Sequence, residues 1–193
     1  MTHPGTSAGN AGRPRSEQAR RAVLEAVDDL LVEQGYAAMT MKGIAERAGV
    51  GRQTVYRWWA NKAEILVEAC VADADELLTS PRPDPADDLA AYLLAMTRFL
   101  TRNDAGRAYL ALIGEAQHDP AVRELVEGAD VLTSSTRAVL ARVRAVAPGM
   151  PADRLAAAQL TGPLLSEILI GPKPFSQRQL RTHVEQLLRA WGD

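Results

Sequence analysis

Helix-start signals recur along the chain, and the apolar residues between them fall at helical spacing. Ser16 can cap a first helix, and both Asp84-Pro85 and Asp119-Pro120 place a capping carboxylate directly before a proline, an arrangement typical of helix N-termini. Apolar residues then recur every three to four positions, whereas no segment shows β-branched residues in period-two alternation. The sequence therefore predicts an all-α protein of about nine helices.

The composition restricts the class of protein further. The chain has 193 residues, of which 47% are apolar and 24% are charged, and this is enough apolar material for a packed core. These values exclude a collagen-like, wholly disordered or disulfide-rich chain. Cys70 is the one cysteine and cannot form an internal disulfide, which fits a cytoplasmic protein. The longest apolar run, residues 89–96, is far shorter than a membrane span, so no membrane partner is expected.

Changes in composition divide the chain into three segments. Residues 1–15 are rich in Gly, Ser, Thr and Asn and are predicted to form a disordered basic arm. Residues 16–62 are predicted to form a small helical domain, and residues 63–193 a larger one. The first 66 residues carry nine basic and seven acidic side chains, although the whole chain has a net charge of −2. A weakly basic end on an acidic body is compatible with anion binding at that end.

The segment 40–66 has the pattern of a helix-turn-helix motif. Two short amphipathic helices flank a Gly-Val-Gly turn at residues 49–51, where glycine supplies the backbone freedom that a tight turn needs. Val55 and Trp59 are four residues apart and are predicted to anchor the second helix to the core. The polar and basic residues of that helix are then left facing outward.

The outward residues have side chains suited to duplex DNA. In such motifs the N-terminal end of the second helix enters the major groove, where Arg52 suits guanine and Gln53 suits adenine. Tyr56 and Lys62 suit phosphate oxygens. Trp58 is open to two interpretations, a packed rim or a contact to the DNA backbone. The expected DNA-contacting residues are Thr40, Arg52, Gln53, Thr54, Tyr56, Arg57, Trp58 and Lys62. Whether the N-terminal arm contacts DNA or is a solvated basic segment stays open.

These residues resemble the DNA-binding domain of the TetR family of bacterial transcriptional repressors. The resemblance covers about residues 16–66. The matching positions are Thr40, Ile44-Ala45, Ala48-Gly49-Val50, Thr54-Val55-Tyr56, Trp59 and Asn61-Lys62-x-Glu64. Two positions depart from the family pattern: Gly51 stands where Ser is frequent, and Trp58 stands where His or Tyr is frequent.

The resemblance implies a homodimeric repressor with an N-terminal three-helix DNA-binding domain and a C-terminal helical body. Such a body binds a small-molecule effector, and the partner expected at the N-terminal end is a palindromic double-stranded DNA operator. The segments 161–165 and 171–174 also resemble one subgroup of TetR C-terminal bodies. The identity of the effector does not follow from the sequence.

Apolar side chains of the C-terminal body provide two further expectations. A mainly apolar effector pocket is predicted to be lined by Tyr92, Met96, Phe99, Tyr109, Leu112 and Leu164, although such a stripe also suits an ordinary core. The last two helices are predicted to form an isologous four-helix dimer interface. Its expected residues are Leu160, Leu164, Ile168, Leu180, Val184 and Leu187.

Enzyme and cofactor functions find no support in the sequence. None of the three histidines lies at metal-ligand spacing, and the chain has neither a glycine-rich phosphate loop nor a nucleophile elbow. The acidic pair Asp87-Asp88 is interpreted as a solvated helix face. We therefore expect no enzyme, metal or cofactor. The alternative to a regulator is a helical protein-interaction module without specific DNA binding, and retention of a specific duplex distinguishes the two.

Overall fold

The computed structural model describes residues 12–78 and 80–192, with side chains from residue 17 onwards. This part of the chain contains helices and no strand, so the predicted all-α class is confirmed. It forms two compact units, which divide between Leu66 and Val67, four residues after the predicted boundary. Most of the predicted arm, residues 1–11, lies outside the described residues, whereas residues 12–15 are already helical.

The N-terminal unit is built from three helices and the start of a fourth. Helix α1 spans Gly12–Ala38, α2 Met41–Arg47, α3 Arg52–Trp58 and α4 Lys62–Leu78. The regular part of α1 stops at Gly35, because that residue has φ 73° and ψ 165°. Buried apolar residues of α1, α2 and α3 form the core of this unit, and they include Val23, Val27, Ile44 and Val55.

The C-terminal unit contains the rest of α4 and six further α-helices. These are α5 (Pro85–Arg102), α6 (Asp104–Glu115), α7 (Pro120–Ala129), α8 (Thr133–Val143), α9 (Asp153–Ile170) and α10 (Gln177–Gly192). Helix α5 is central, since it packs against α6, α8, α9 and α10. Its start is capped as predicted, because Asp84 accepts a hydrogen bond from the Asp87 amide at 2.9 Å and Pro85 occupies the first turn. No helix among the described residues combines the length and apolar character that crossing a membrane requires.

One predicted helix is in fact two. Helical spacing after Asp119-Pro120 predicts one continuous helix to about residue 146, but α7 ends at Ala129 and its C-cap Asp130 has a left-handed φ of 54° and ψ of 33°. Aspartate tolerates this conformation better than most residues because its short polar side chain can bond locally. Helix α8 begins at Thr133, and residues 144–146 form a short 3-10 turn.

The predicted solvated position of Asp88 is wrong. Its carboxylate is buried and accepts hydrogen bonds from Arg142 Nε at 2.8 Å and Arg142 Nη2 at 3.2 Å. The Arg82 amide adds a third bond at 2.9 Å. This bidentate pair joins α5 to α8, and so a side chain that resembles a surface acid in sequence is a structural link in the core.

Candidate nucleic-acid interface

The turn between α2 and α3 has helix-turn-helix geometry. Thr40 caps α2, since its Oγ1 accepts a hydrogen bond from the Gly43 amide at 3.0 Å. Gly49 has a φ of 66°, a left-handed conformation that glycine adopts without steric cost. Gly51 caps α3 through its backbone, so the hydroxyl that a serine would supply there is missing. The helix-turn-helix motif therefore consists of α2, this turn and α3.

Helix α3 has a buried side and an exposed side. Val55 is fully buried, and Trp59 directly after the helix is 4% exposed. Thr54 is half-buried at the edge. The polar and basic side chains on the exposed side are Arg52, Gln53, Tyr56 and Arg57. Because one turn of helix separates the first pair from the second, the four share one face.

Trp58 connects the buried and exposed sides of α3. Its ring meets that of Trp59 edge-on, with centroids 5.4 Å apart. The Arg57 guanidinium carbon lies 5.1 Å from the Trp58 ring centroid, within the range of a cation–π contact. Trp58 is half-buried and restrains the guanidinium of Arg57 on the exposed face.

Lys62 does not have the free ammonium that the sequence predicted for phosphate binding. Its Nζ donates to the carbonyl oxygens of Tyr36 at 2.9 Å, Met39 at 3.1 Å and Ala37 at 3.3 Å. It also lies 4.3 Å from the Tyr36 ring centroid. An ammonium has three donors, and all three are used within the chain. Lys62 thus links the start of α4 to the last residues of α1 and to Met39, which precedes α2.

The start of α4 has a capping box formed by Asn61 and Glu64. Asn61 Oδ1 accepts from the Glu64 amide at 3.0 Å, and Glu64 Oε2 accepts from the Ala60 amide at 2.7 Å. Asn61 Nδ2 also donates to Glu64 Oε1 at 3.2 Å. This reciprocal cap fixes the start of α4 and therefore the position of Lys62, the first residue of that helix.

An ion-pair group that the sequence analysis missed joins α1 to α2. Arg47 donates to both carboxylate oxygens of Glu33, from Nη1 to Oε1 at 2.8 Å, and to Asp29 at 3.3 Å. The hydrogen bond from Arg47 holds the pKa of Glu33 below its ordinary value, and the same contact raises the pKa of Arg47. Arg47 at the end of α2 and the acidic residues Asp29 and Glu33 of α1 are visible in the sequence. The sequence does not show, however, which residues of the two helices lie opposite one another.

Comparison with known proteins assigns both units to one family. Residues 23–69 match the family described as bacterial regulatory proteins, tetR family, and residues 81–187 match the tetracyclin repressor-like C-terminal domain. The second match alone covers more than half of the chain. The chain belongs to the TetR family. The proteins of this family are DNA-binding regulators rather than enzymes, and α2, the turn and α3 form the helix-turn-helix motif of the chain's N-terminal domain.

Individual TetR-family proteins resemble this chain over part or most of its length. The uncharacterized HTH-type transcriptional regulator YdeS of Bacillus subtilis is 39% identical over 116 residues, 58% of this chain and 57% of YdeS. The HTH-type transcriptional repressor KstR of Rhodococcus jostii is 29% identical over 91 residues, 45% of this chain and 43% of KstR. The chain thus spans about half the length of these two relatives. The crystal structure of the TetR-family transcription regulator SCO0332 superposes with a TM-score of 0.76 at 29% identity, covering 90% of this chain and 98% of that one.

The predicted effector-pocket residues of this TetR-family protein are all buried in the C-terminal unit. Tyr92 donates to or accepts from the hydroxyls of Thr136 at 2.6 Å and Ser135 at 3.1 Å, and burial raises its pKa. Burial likewise raises the pKa of Tyr109 to about 12. A cavity of about 210 Å³ lies between the end of α4, α5 and α8, and Tyr92 lines it. The other predicted residues, which do not line this cavity, are Met96, Phe99, Tyr109, Leu112 and Leu164.

The predicted dimer residues of the TetR-family chain need correction. Four of them are buried within the single chain, at 0–1% exposure: Leu160, Leu164, Leu180 and Val184. They pack where α9 and α10 meet α5, so they belong to the protomer's own core. Ile168 and Leu187 are half-buried. The large apolar side chains that α9 leaves exposed include Leu155 and Leu169, each 55% exposed.

Proposed function

We propose that this TetR-family protein is a one-component, ligand-responsive transcriptional repressor that binds a palindromic operator as a homodimer in the cytoplasm. The exposed face of α3 is the observation that supports it most. Arg52, Gln53, Tyr56 and Arg57 form a polar and basic face on a helix whose opposite side is anchored by Val55. A rigidly anchored helix with this chemistry suits the major groove of duplex DNA.

The N-terminal end of this face suits contacts with base edges, and the residues one turn later suit contacts with phosphates. Arg52 and Gln53 stand at the N-terminal end of α3, the end that reaches base edges in helix-turn-helix complexes, and their side chains can bond guanine and adenine bidentately. Tyr56 and Arg57 lie one turn later and suit phosphate oxygens, with Arg57 restrained by Trp58. Thr40 Oγ1 accepts the capping bond and can still donate its proton to a phosphate.

The outer face of α9 supports a homodimer. Leu155, Gly162 and Leu169 are spaced by seven residues, so they lie on one side of the helix, about 21 Å from end to end at ~1.5 Å per residue. A Cβ built on Gly162 would meet no described atom within 4 Å, which leaves room for a close helix. Ala158 and Ser166 add small side chains on this face. We infer that the same face of a second copy covers it.

The repressor role and the ligand response rest on the family and on the cavity. KstR, which matches 45% of this chain, is named a repressor, and the cavity beside Tyr92 offers a place for an effector. An effector can shift the equilibrium toward the state that does not bind DNA only by the difference in its affinity for the two states. The effector must therefore bind the free protein more tightly than the DNA complex.

A footprinting experiment on the DNA upstream of the protein's own coding region tests the proposed function. The expected result is a protected, two-fold symmetric site whose half-site centres are about 34–36 Å apart or a multiple of that distance. Retention of random and upstream DNA alike, without a footprint, would favour the alternative of a helical interaction module.

A further inference from the structure

We propose that the cavity between α4, α5 and α8 binds a small carboxylic acid with a short apolar body, and that Arg98 and Arg82 hold its carboxylate. This inference rests on the proposed ligand response and names the chemical class of the ligand. The cavity is here called the arginine cavity, and its polar lining includes Arg82, Arg98, Arg142 and Asp88.

The charges around the arginine cavity are not balanced. Three arginines line it against one acidic residue, Asp88, whose carboxylate accepts two hydrogen bonds from Arg142 at 2.8 and 3.2 Å, whereas Arg82 and Arg98 are exposed at its mouth. Within residues 12–78 and 80–192, no carboxylate pairs with the guanidinium of Arg82 or Arg98. Two like charges at one cavity repel each other, and a bound anion relieves that repulsion. Guanidinium groups also match the planar, two-oxygen geometry of a carboxylate.

The remaining wall of the arginine cavity is apolar. Leu77 and Leu78 at the end of α4 face it together with Ala91, Leu94 and Ala95 of α5. Arg82 and Arg98 are exposed beside this apolar wall, so an amphipathic ligand would find an anion site and an apolar surface next to each other. The combination therefore indicates a ligand with one charged head and an apolar body, rather than inorganic phosphate.

The size of the arginine cavity favours a small ligand. Its volume is about 210 Å³. Drug-sized ligands occupy pockets of about 300–1,000 Å³, so the expected ligand is smaller, in the range of an aromatic acid or a short fatty acid. Tyr92 forms a fixed part of the wall because Ser135 and Thr136 both bond its hydroxyl.

The position of the cavity gives the ligand access to a helix that belongs to both units. Leu77 and Leu78 are the last residues of α4, and α4 begins at Lys62. A ligand seated against these two leucines contacts the end of that helix directly.

Calorimetric titration of the full chain tests the inference with benzoate, phenylacetate and hexanoate as probes. Benzyl alcohol, 1-hexanol and inorganic phosphate serve as ligands that lack either the charge or the apolar body. We expect saturable binding of at least one acid, with the alcohols and phosphate at least tenfold weaker. Arg98→Gln should weaken the acid by about tenfold to a hundredfold, since it removes a charge-assisted contact. Arg102→Gln changes an exposed arginine on the same helix that does not line the cavity, and it should leave the affinity unchanged.

The outcomes separate this inference from the proposed function. Equal effects of Arg98→Gln and Arg102→Gln, or phosphate binding as tight as the acids, would overturn the inference, as would no binding of any acid at millimolar concentration. Calorimetry needs no DNA, so acid binding that depends on Arg98 supports the inference even where footprinting fails. A clear footprint together with no acid binding would leave the proposed function standing and refute the ligand class.

Discussion

Replacing Lys62 with Met removes an ammonium group and keeps an unbranched apolar side chain of similar length. The substitution deletes three hydrogen bonds to backbone carbonyls, at 2.9, 3.1 and 3.3 Å, and a cation–π contact with Tyr36. A hydrogen bond to a charged group contributes about 1.5–3 kcal/mol, but water can reach these half-buried carbonyls and replace part of each bond. We therefore expect Lys62→Met to lower the free energy of unfolding by about 2–3 kcal/mol in total.

Thermal unfolding followed by circular dichroism measures this loss. For a chain of this length the expected decrease in Tm is about 4–12 °C, at ~2–4 °C for each kcal/mol. Lys42→Met is the matched control, because Lys42 is an exposed lysine of the same unit whose Nζ lies 3.7 Å from Glu46 on the same helix. Such a pair contributes about 0.3–0.5 kcal/mol, so the control should shift Tm by no more than ~2 °C.

The salt dependence of DNA binding decides which role Lys62 has. A lysine that contacts phosphate releases counterions, and its loss lowers the slope of log K against log salt by about 0.9. We expect Lys62→Met to leave this slope unchanged on a random duplex, whereas Arg57→Met should lower it by about 0.9. An unchanged Tm together with a lowered slope for Lys62→Met would refute the structural role given to this residue.

Three further predictions concern the stability and the assembly of the protein. Arg142→Met should lower the free energy of unfolding in urea by about 3–5 kcal/mol, because it leaves the buried Asp88 carboxylate without its charged partner. Adding Asp88→Leu should restore most of that stability, and a double variant as unstable as Arg142→Met alone would contradict this explanation. Gly162→Leu should convert the proposed dimer to a monomer in sedimentation, while Gly128→Leu, which likewise meets no atom within 4 Å, should not. Dimers in both variants would exclude the proposed face of α9. The pKa of Glu33 is lowered in the folded state, so its ion pair stabilises above the ordinary value of 4.5 and is lost as pH falls through the lowered pKa. The stability difference between wild type and Glu33→Gln should therefore shrink below about pH 4.5 in urea titrations, and a difference that is independent of pH would contradict the pairing.

Local signals in the sequence predicted several helix starts and the helix-turn-helix motif, but not the break between α7 and α8. The Asn61–Glu64 box and the Thr40 cap involve partners three residues apart, so the chain itself brings them together. Gly49 is similarly predictable, because its left-handed φ is a property of a single residue in a tight turn. These features place the exposed face of α3 without any knowledge of tertiary contacts.

Contacts between distant residues could not be predicted in the same way. The carbonyl partners of Lys62 lie 23–26 residues earlier, and Arg142 lies 54 residues after Asp88. Nothing in the local pattern distinguishes a charge that contacts DNA or solvent from one that is satisfied inside the chain. Likewise, helical periodicity shows that Leu160 and Val184 are buried, but it does not show whether their own chain or a partner buries them.

Fluorescence anisotropy with Gln53→Ala tests the central claim, that the exposed face of α3 distinguishes DNA sequences. Gln53 is uncharged, so its loss changes no general attraction to phosphate, and the exposed Gln34 of α1 provides the matched control Gln34→Ala. We expect Gln53→Ala to weaken binding to the footprinted duplex by about 1–3 kcal/mol and to leave binding to a scrambled duplex unchanged, whereas Gln34→Ala should bind both duplexes like wild type. Equal losses on both duplexes, or no loss on either, would show that the exposed face of α3 does not distinguish DNA sequences.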